Sequence, residues 1–148
     1  MLSPIVAAVL IGMCFLKTWE VLGIGLGGML VRDIVLGFDA MTPVRLLAVF
    51  ATVGAARLAR VRLGLGPLVL GLLAATPVFH LVIASGAWAV GMCEGFPNTP
   101  AGLWQSIVTT VPYFLISLAW QIGYTLSFAA VFALARAWVM RRHSTLKV

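Results

Sequence analysis

The chain has few charged side chains and almost no acidic ones. Only 9% of its 148 residues are charged, Asp and Glu together number four, and 62% of the residues are hydrophobic. A soluble domain carries roughly a quarter charged residues, so this composition excludes an ordinary soluble domain. It predicts one integral membrane domain over residues 1–148, with the lipid bilayer as its surroundings.

Residues that carry catalysis are also scarce. The chain has two cysteines and two histidines. It contains no phosphate-binding loop, no zinc-ligand spacing and no pair of carboxylates inside an apolar run. Cys14 and Cys93 are predicted on opposite sides of the membrane, which excludes a disulfide between them. We therefore expect no enzyme activity, no metal and no cofactor.

One uncharged run sets the layout of the chain. Pro67–Met92 contains a single titratable side chain, His80. At about 1.5 Å per residue this run makes about 39 Å of helix, more than the ~30 Å hydrocarbon layer of a bilayer. Three arginines precede it and a polar, turn-rich loop follows, which predicts a membrane-spanning helix with a charged end and a polar end.

Similar segments before and after this run predict further helices. Proline directly after Ser3, Thr42 or Thr99 is typical of a helix start, and Pro112 is expected to break or kink the chain. The predicted fold is all-α, a polytopic transmembrane bundle of about five helices. Its helices lie at about 4–16, 19–38, 43–61, 67–92 and 112–139, with an interfacial helix at 100–110.

The positive charges predict the orientation of these helices. The net charge of +6 does not indicate a nucleic-acid partner, because the basic residues flank apolar segments. Eight of the ten Lys and Arg residues fall on one side of the five-helix layout. That side is then the cytoplasm of a bacterial cell, and the N-terminus lies outside the inner membrane while the C-terminus lies inside. The eight are Lys17, Arg57, Arg60, Arg62, Arg136, Arg141, Arg142 and Lys147.

Polar residues inside the predicted spans are candidates for function. His80 lies midway along its span, where an ionisable group is costly. It is either a neutral histidine hydrogen-bonded to Gln121 or Tyr124, or a proton relay or ligand contact. Ser117, Gln121, Tyr124 and Thr125 recur at helical spacing, which predicts an inward polar stripe for interhelical hydrogen bonds or for a ligand.

A second candidate site lies at the predicted outer ends of the helices. Aromatic residues with a few polar groups are typical of a small-molecule pocket, and equally of a membrane interface. Arg32 and Asp33 are adjacent and are expected to point apart, so Arg32 pairs with Asp39 or Glu94 or meets an anionic ligand. The candidate ligand-binding residues are Trp88, Glu94, Asn98, Trp104, Tyr113 and Arg32.

The glycines of the second segment match a nucleotide-binding pattern only formally. Gly23, Gly25 and Gly28 have the spacing of a dinucleotide fingerprint, but they lie inside an apolar run instead of a strand–turn–helix unit. Gly23 and Gly27 are better explained as a small-residue face for close helix packing.

Several stretches resemble a known family. They are Ser3–Gly12, Gly28–Phe38, Ser85–Trp88, Phe96–Leu103 and Val111–Phe114. Together they are similar to an uncharacterised family of small bacterial integral membrane proteins, which in turn resembles the substrate-capture (S) subunits of energy-coupling-factor vitamin transporters. Such subunits have six helices with both termini in the cytoplasm. Loss of the first helix would give five helices and the outside N-terminus that the charges predict.

This resemblance implies a non-enzymatic subunit that binds or transports a small, vitamin-like molecule. It implies an outward-facing pocket under the loops at Gly37–Thr42 and Glu94–Pro100. It also implies a transmembrane coupling subunit with ATPases as partner. The alternative is a structural or assembly subunit of a larger membrane complex, with other membrane subunits as partners and no ligand. A third hypothesis, proton handling by His80 and Gln121, lacks an intramembrane carboxylate.

Overall fold

The computed structural model describes residues 4–62, 64–93 and 95–145. Within these ranges every regular element is a helix and no strand occurs, so the prediction of an all-α chain of about five helices is confirmed. The helices are α1 (Ile5–Phe15), α2 (Thr18–Leu36), α3 (Thr42–Leu58), α4 (Leu65–Ala89) and α5 (Pro100–Thr145).

The shortest helix is the central one. α1 packs against all four other helices, whereas α2, α3, α4 and α5 pack only against their neighbours in the chain and against α1. Within the described ranges α2 and α5 do not pack against each other, so the four longer helices form an open ring around α1. The hydrophobic core lies largely where α1 packs against the surrounding helices, and Val6, Val9 and Leu10 of α1 are almost fully buried in it.

Close approach between the helices depends on small side chains. Gly71 of α4 lies against Val61 and Leu10, and a Cβ atom at Gly71 would overlap with Val61. Gly86 lies near the C-terminal end of α4, and a Cβ atom there would overlap with Val44 of α3. These two glycines allow α4 to lie against α3 along most of its length.

Glycines also end two of the helices. Gly37 follows α2 with φ of 94°, and Gly91 follows α4 with φ of 73°. Side chains rarely tolerate positive φ, so glycine is the residue that turns the backbone here at low cost. Both turns lie at the same end of the ring, because α2 and α4 run in the same direction.

α5 differs from the predicted arrangement. A break was expected near Pro112, between an interfacial helix and the last span, but α5 runs without interruption from Pro100 to Thr145. Proline removes one backbone donor, and nearby hydroxyl groups can adjust the local hydrogen bonding of a helix that continues through it. Thr109 and Thr110 donate their hydroxyl groups to the carbonyls of Gln105 and Ser106 in the turns before Pro112.

Two helices are long and apolar enough to cross a membrane, by length and composition: Gly66–Ala89 in α4 and Pro100–Ala135 in α5. α1 is apolar but shorter. The outward faces of the ring are also apolar, and Val35, Leu58 and Leu115 have more than half of their side-chain surface exposed.

Candidate functional site

A cavity of about 400 Å³ lies between the helices of the ring and opens to the surface, since its lining residues Tyr113 and Ile116 are 71% and 54% exposed. We call it the main cavity. Each of the four ring helices contributes to its wall, and no residue of α1 does. Its polar lining consists of Arg32, Arg45, His80, Thr110, Tyr113 and Ser117. Its apolar lining consists of Met29, Met41, Phe79, Ile83 and Ile116.

The short length of α1 explains the position of this cavity. At about 1.5 Å per residue, α1 is about 16 Å long, roughly half the hydrocarbon thickness of a bilayer. It therefore occupies the ring over only part of its depth. The backbone N–H of Ala7, in the first turn of α1, donates to Gln121 Oε1 at 3.0 Å. Gln121 lies one turn beyond Ser117, so this end of α1 borders the cavity.

Two arginines and two aspartates form an ion cluster at one wall of the main cavity. Asp33 Oδ1 accepts hydrogen bonds from Arg32 Nη1 and Arg45 Nη1, both at 2.7 Å. Arg45 Nη2 also donates to Asp39 Oδ1 at 2.7 Å. The side chain of Asp33 is completely buried, whereas that of Asp39 is 44% exposed.

The cluster presents its positive side to the cavity. Arg32 and Arg45 line the cavity, but neither Asp33 nor Asp39 does. The carboxylate of Asp33 therefore holds the two guanidinium groups in place from behind. A guanidinium group presents N–H donors in a planar fork that suits carboxylates and phosphates. This wall can bind an acceptor-rich group.

His80 also lines the main cavity, and its ring lies between two aromatic rings. The centroid of its imidazole is 5.8 Å from that of Phe79 and 5.7 Å from that of Phe114, and both contacts are edge-on. Its buried Nε2 atom has no hydrogen-bond partner among the described residues. An unsatisfied buried polar atom is costly, which marks His80 as a candidate functional residue.

A second cavity, of about 180 Å³, lies between α4 and α5. We call it the apolar crevice. His80 and Thr110 line it and also line the main cavity. Its other lining residues are apolar: Pro77, Leu81, Ala84, Ile107, Val111 and Phe114.

The structure brings three of the predicted site residues together and separates others. Arg32, Tyr113 and His80 all line the main cavity. Trp104 does not line it. Exposure does not distinguish these two aromatic residues, since Trp104 is 67% and Tyr113 is 71% exposed. Trp88 donates its Nε1–H to the carbonyl of Pro97 at 3.1 Å and so ties the loop after α4 to that helix. Asn98 is exposed in this loop, and the predicted site residue Glu94 lies outside the described residues.

The structure also shows the contacts of the polar residues predicted inside the spans. Gln121 binds the backbone of Ala7 instead of His80, because the start of α1 lies closer to it. Tyr124 packs its ring against Trp120 at a centroid distance of 6.0 Å. Arg32 donates to Asp33, its neighbour in sequence, although adjacent residues on a helix were expected to point apart; its predicted partner Glu94 lies outside the described residues. The arginine side chain is long enough to fold back over one residue.

Sequence reasoning missed Arg45 as a lining residue of the main cavity and Asp33 as its ion-pair partner. A signal was available: Asp33 is one of only four acidic residues, and Arg45 follows it across a short turn between two predicted helices. An acid inside an apolar helix needs a cation nearby. The nearest cation on the next helix was therefore the candidate.

Comparison with known proteins adds one finding. A search of curated proteins and a search of solved structures give no match. A family model with the description "Family of unknown function (DUF6580)" matches residues 1–144, which is nearly the whole chain. The chain therefore belongs to the DUF6580 family.

Proposed function

We propose that this DUF6580 protein is a non-enzymatic integral membrane subunit that binds or transports a small, vitamin-like molecule in its main cavity. One observation carries the proposal. The main cavity is bounded by four helices and combines two guanidinium groups, an imidazole and three hydroxyl groups with methionine, phenylalanine and isoleucine side chains. Concave, largely apolar sites with a few convergent polar groups are the usual form of small-molecule sites.

The proposed setting is a bacterial inner membrane, with the helices as a polytopic bundle. Two helices that satisfy the length and composition of a span support this setting, and so do the apolar outward faces of the other helices. The Lys and Arg distribution favours an N-terminus on the outside. In that orientation the turns at Gly37 and Gly91 face outward. The ion cluster lies near the first of these turns, so the cavity belongs to the outer half of the bundle.

The structure also leaves room for a membrane partner. A Cβ atom added at Gly23 or Gly27 of α2 would meet nothing within 4 Å in the described chain. A helix of another protein can approach closely at such a small-residue face. This favours a role within a larger assembly. A transmembrane coupling subunit with ATPases suits the resemblance to S subunits, and other membrane subunits suit the alternative of an assembly subunit without a ligand.

Retention of a molecule during purification tests the proposal. The protein is extracted in a mild detergent and examined by native mass spectrometry for small molecules and co-purifying chains. Ile83→Trp adds bulk to the wall of the main cavity, whereas Ile122→Trp adds the same bulk on α5 at a residue that lines neither cavity. We expect wild type and Ile122→Trp to retain one small molecule and Ile83→Trp to lose it.

Two outcomes would count against ligand binding in the main cavity. Equal retention by the Ile83→Trp and Ile122→Trp proteins would mean that the molecule binds elsewhere. A wild-type protein that carries no molecule, but co-purifies with a stoichiometric membrane chain lacking ATPases, would favour the assembly subunit.

A further inference from the structure

The main cavity and the apolar crevice are separated by a thin wall. His80 and Thr110 line both spaces, so each of these two side chains has one side toward each cavity. Phe79 lines only the main cavity and Phe114 only the crevice, and the imidazole of His80 lies between their rings. The side chains of His80 and Thr110 therefore form the boundary between the two spaces.

The chemistry of the two spaces is opposite. Arg32 and Arg45 line the main cavity with their aspartate partners behind them. Among the described residues the crevice has no charged lining residue, and apart from His80 and Thr110 its wall is apolar. The hydroxyl of Thr110 donates to the carbonyl of Ser106 at 2.7 Å, so it is already engaged within its own helix.

The crevice opens at the outer surface of the bundle. Leu81 and Val111 line it and are 48% and 47% exposed. Both belong to helix segments that are apolar enough to cross a membrane. In the proposed setting this opening faces lipid, so an apolar chain in the crevice would leave water entirely.

We infer that the ligand is a single-chain amphiphile with a carboxylate head. This inference rests on the proposed function and specifies the class of its ligand. The carboxylate lies in the main cavity against the guanidinium groups, whose planar fork of N–H donors suits a carboxylate. The hydrocarbon chain passes between His80 and Thr110 into the apolar crevice. No single compact molecule would use both spaces, because one wall is charged and the other is apolar.

Photolabelling with a defined probe tests this class. The probe is decanoate with a diazirine near the end of its chain, applied to the purified protein in lipid nanodiscs. We expect peptides around Leu81 and Val111 to be labelled. Each buried methylene raises affinity about three- to fourfold, so unlabelled decanoate should compete at least about tenfold better than butanoate.

Three variants assign the head and the chain to their sites. Leu81→Trp obstructs the crevice, and Leu70→Trp is its matched control, since Leu70 is an exposed leucine on the same helix that lines neither cavity. We expect Leu81→Trp and Arg32→Gln to lower crevice labelling about tenfold and Leu70→Trp to leave it unchanged. Both leucines are on the surface, so the two Trp variants are expected to fold equally well.

Specific results would overturn the inference. Crevice labelling that persists in Arg32→Gln would mean that the chain binds there without its head in the main cavity. Competition independent of chain length, or no labelling at all, would exclude a carboxylate amphiphile. If native mass spectrometry still shows a small molecule that Ile83→Trp removes, the proposed function stands and only the ligand class fails. If no molecule is found either, both fail.

Discussion

Arg45 of α3 and Asp33 of α2 form an ion pair in which the Asp33 side chain is completely buried. Arg45 Nη1 lies 2.7 Å from Asp33 Oδ1, and the side-chain exposures are 13% and 0%. The pair joins two helices across the turn after Gly37. Arg45 also reaches Asp39 in that turn, so one guanidinium group fixes the ends of both helices and the loop between them.

Asp33→Asn is therefore expected to destabilise the protein more than Asp39→Asn. Asp33→Asn leaves two buried or half-buried guanidinium groups without their shared carboxylate, and removal of one partner of a buried pair is strongly destabilising. Asp39 is substantially exposed, and exposed ion pairs contribute little. We expect the midpoint of thermal unfolding in detergent to fall by about 5 °C or more for Asp33→Asn and by only about 1 °C for Asp39→Asn. Equal midpoints would show that the buried pair does not hold α2 to α3.

Gly102 and Gly123 allow a matched test of packing within α5. A Cβ atom at Gly102 would overlap with the backbone carbonyl of Pro97, whereas one at Gly123 would meet nothing within 4 Å. Gly102→Ala is expected to cost about 1–3 kcal/mol through overpacking. Gly123→Ala is expected to stabilise by about 0.4–1 kcal/mol, because alanine favours the helix. Unfolding in a denaturant series measures both. If Gly102→Ala leaves the free energy of unfolding unchanged, the loop after α4 moves aside easily.

Much of the helical layout follows directly from the sequence. Uncharged apolar runs ended by glycine or by charged residues have few alternatives to helix, and the predicted span at 67–92 corresponds to α4 at Leu65–Ala89. The central position of α1 among the other helices could not be predicted from the sequence. Its composition shows a short apolar helix, but which helices surround it depends on contacts such as Gly71 with Leu10, which have no local sequence signal.

The candidate site was predictable only in part, and for a related reason. Trp104 and Tyr113 are both aromatic residues that were predicted in the outer candidate site, yet only Tyr113 lines the main cavity. The two residues differ in which side of α5 they occupy relative to α4. Sequence alone does not fix that rotation while α5 is expected to break at Pro112. The continuous helix sets the direction of both side chains.

Gln121 is expected to stabilise the start of α1. Its Oε1 accepts the backbone N–H of Ala7 at 3.0 Å, and both residues are buried. Gln121→Leu leaves that N–H unpaired, at a cost of about 1–3 kcal/mol. Hydrogen exchange should then accelerate in the first turn of α1. The matched control is Thr125→Val one turn along, since the buried Oγ1 of Thr125 has no partner in the described part of the chain and its loss should be neutral or stabilising. Unchanged exchange in Gln121→Leu would contradict this role.

The direction of the helices in the membrane decides whether the main cavity opens outward. With Cys14 and Cys93 replaced by serine, Arg57→Cys places one thiol at the end of α3 and Asn98→Cys places another in the loop between α4 and α5. The positive-inside distribution predicts Asn98 outside and Arg57 in the cytoplasm. A maleimide that cannot cross the membrane should label Asn98→Cys in intact cells, and Arg57→Cys only after permeabilisation. Labelling of Arg57→Cys but not Asn98→Cys in intact cells would show that every helix crosses the membrane in the opposite direction. The ion cluster of Arg32, Asp33 and Arg45 would then face the cytoplasm, and the ligand would have to reach the cavity from that side.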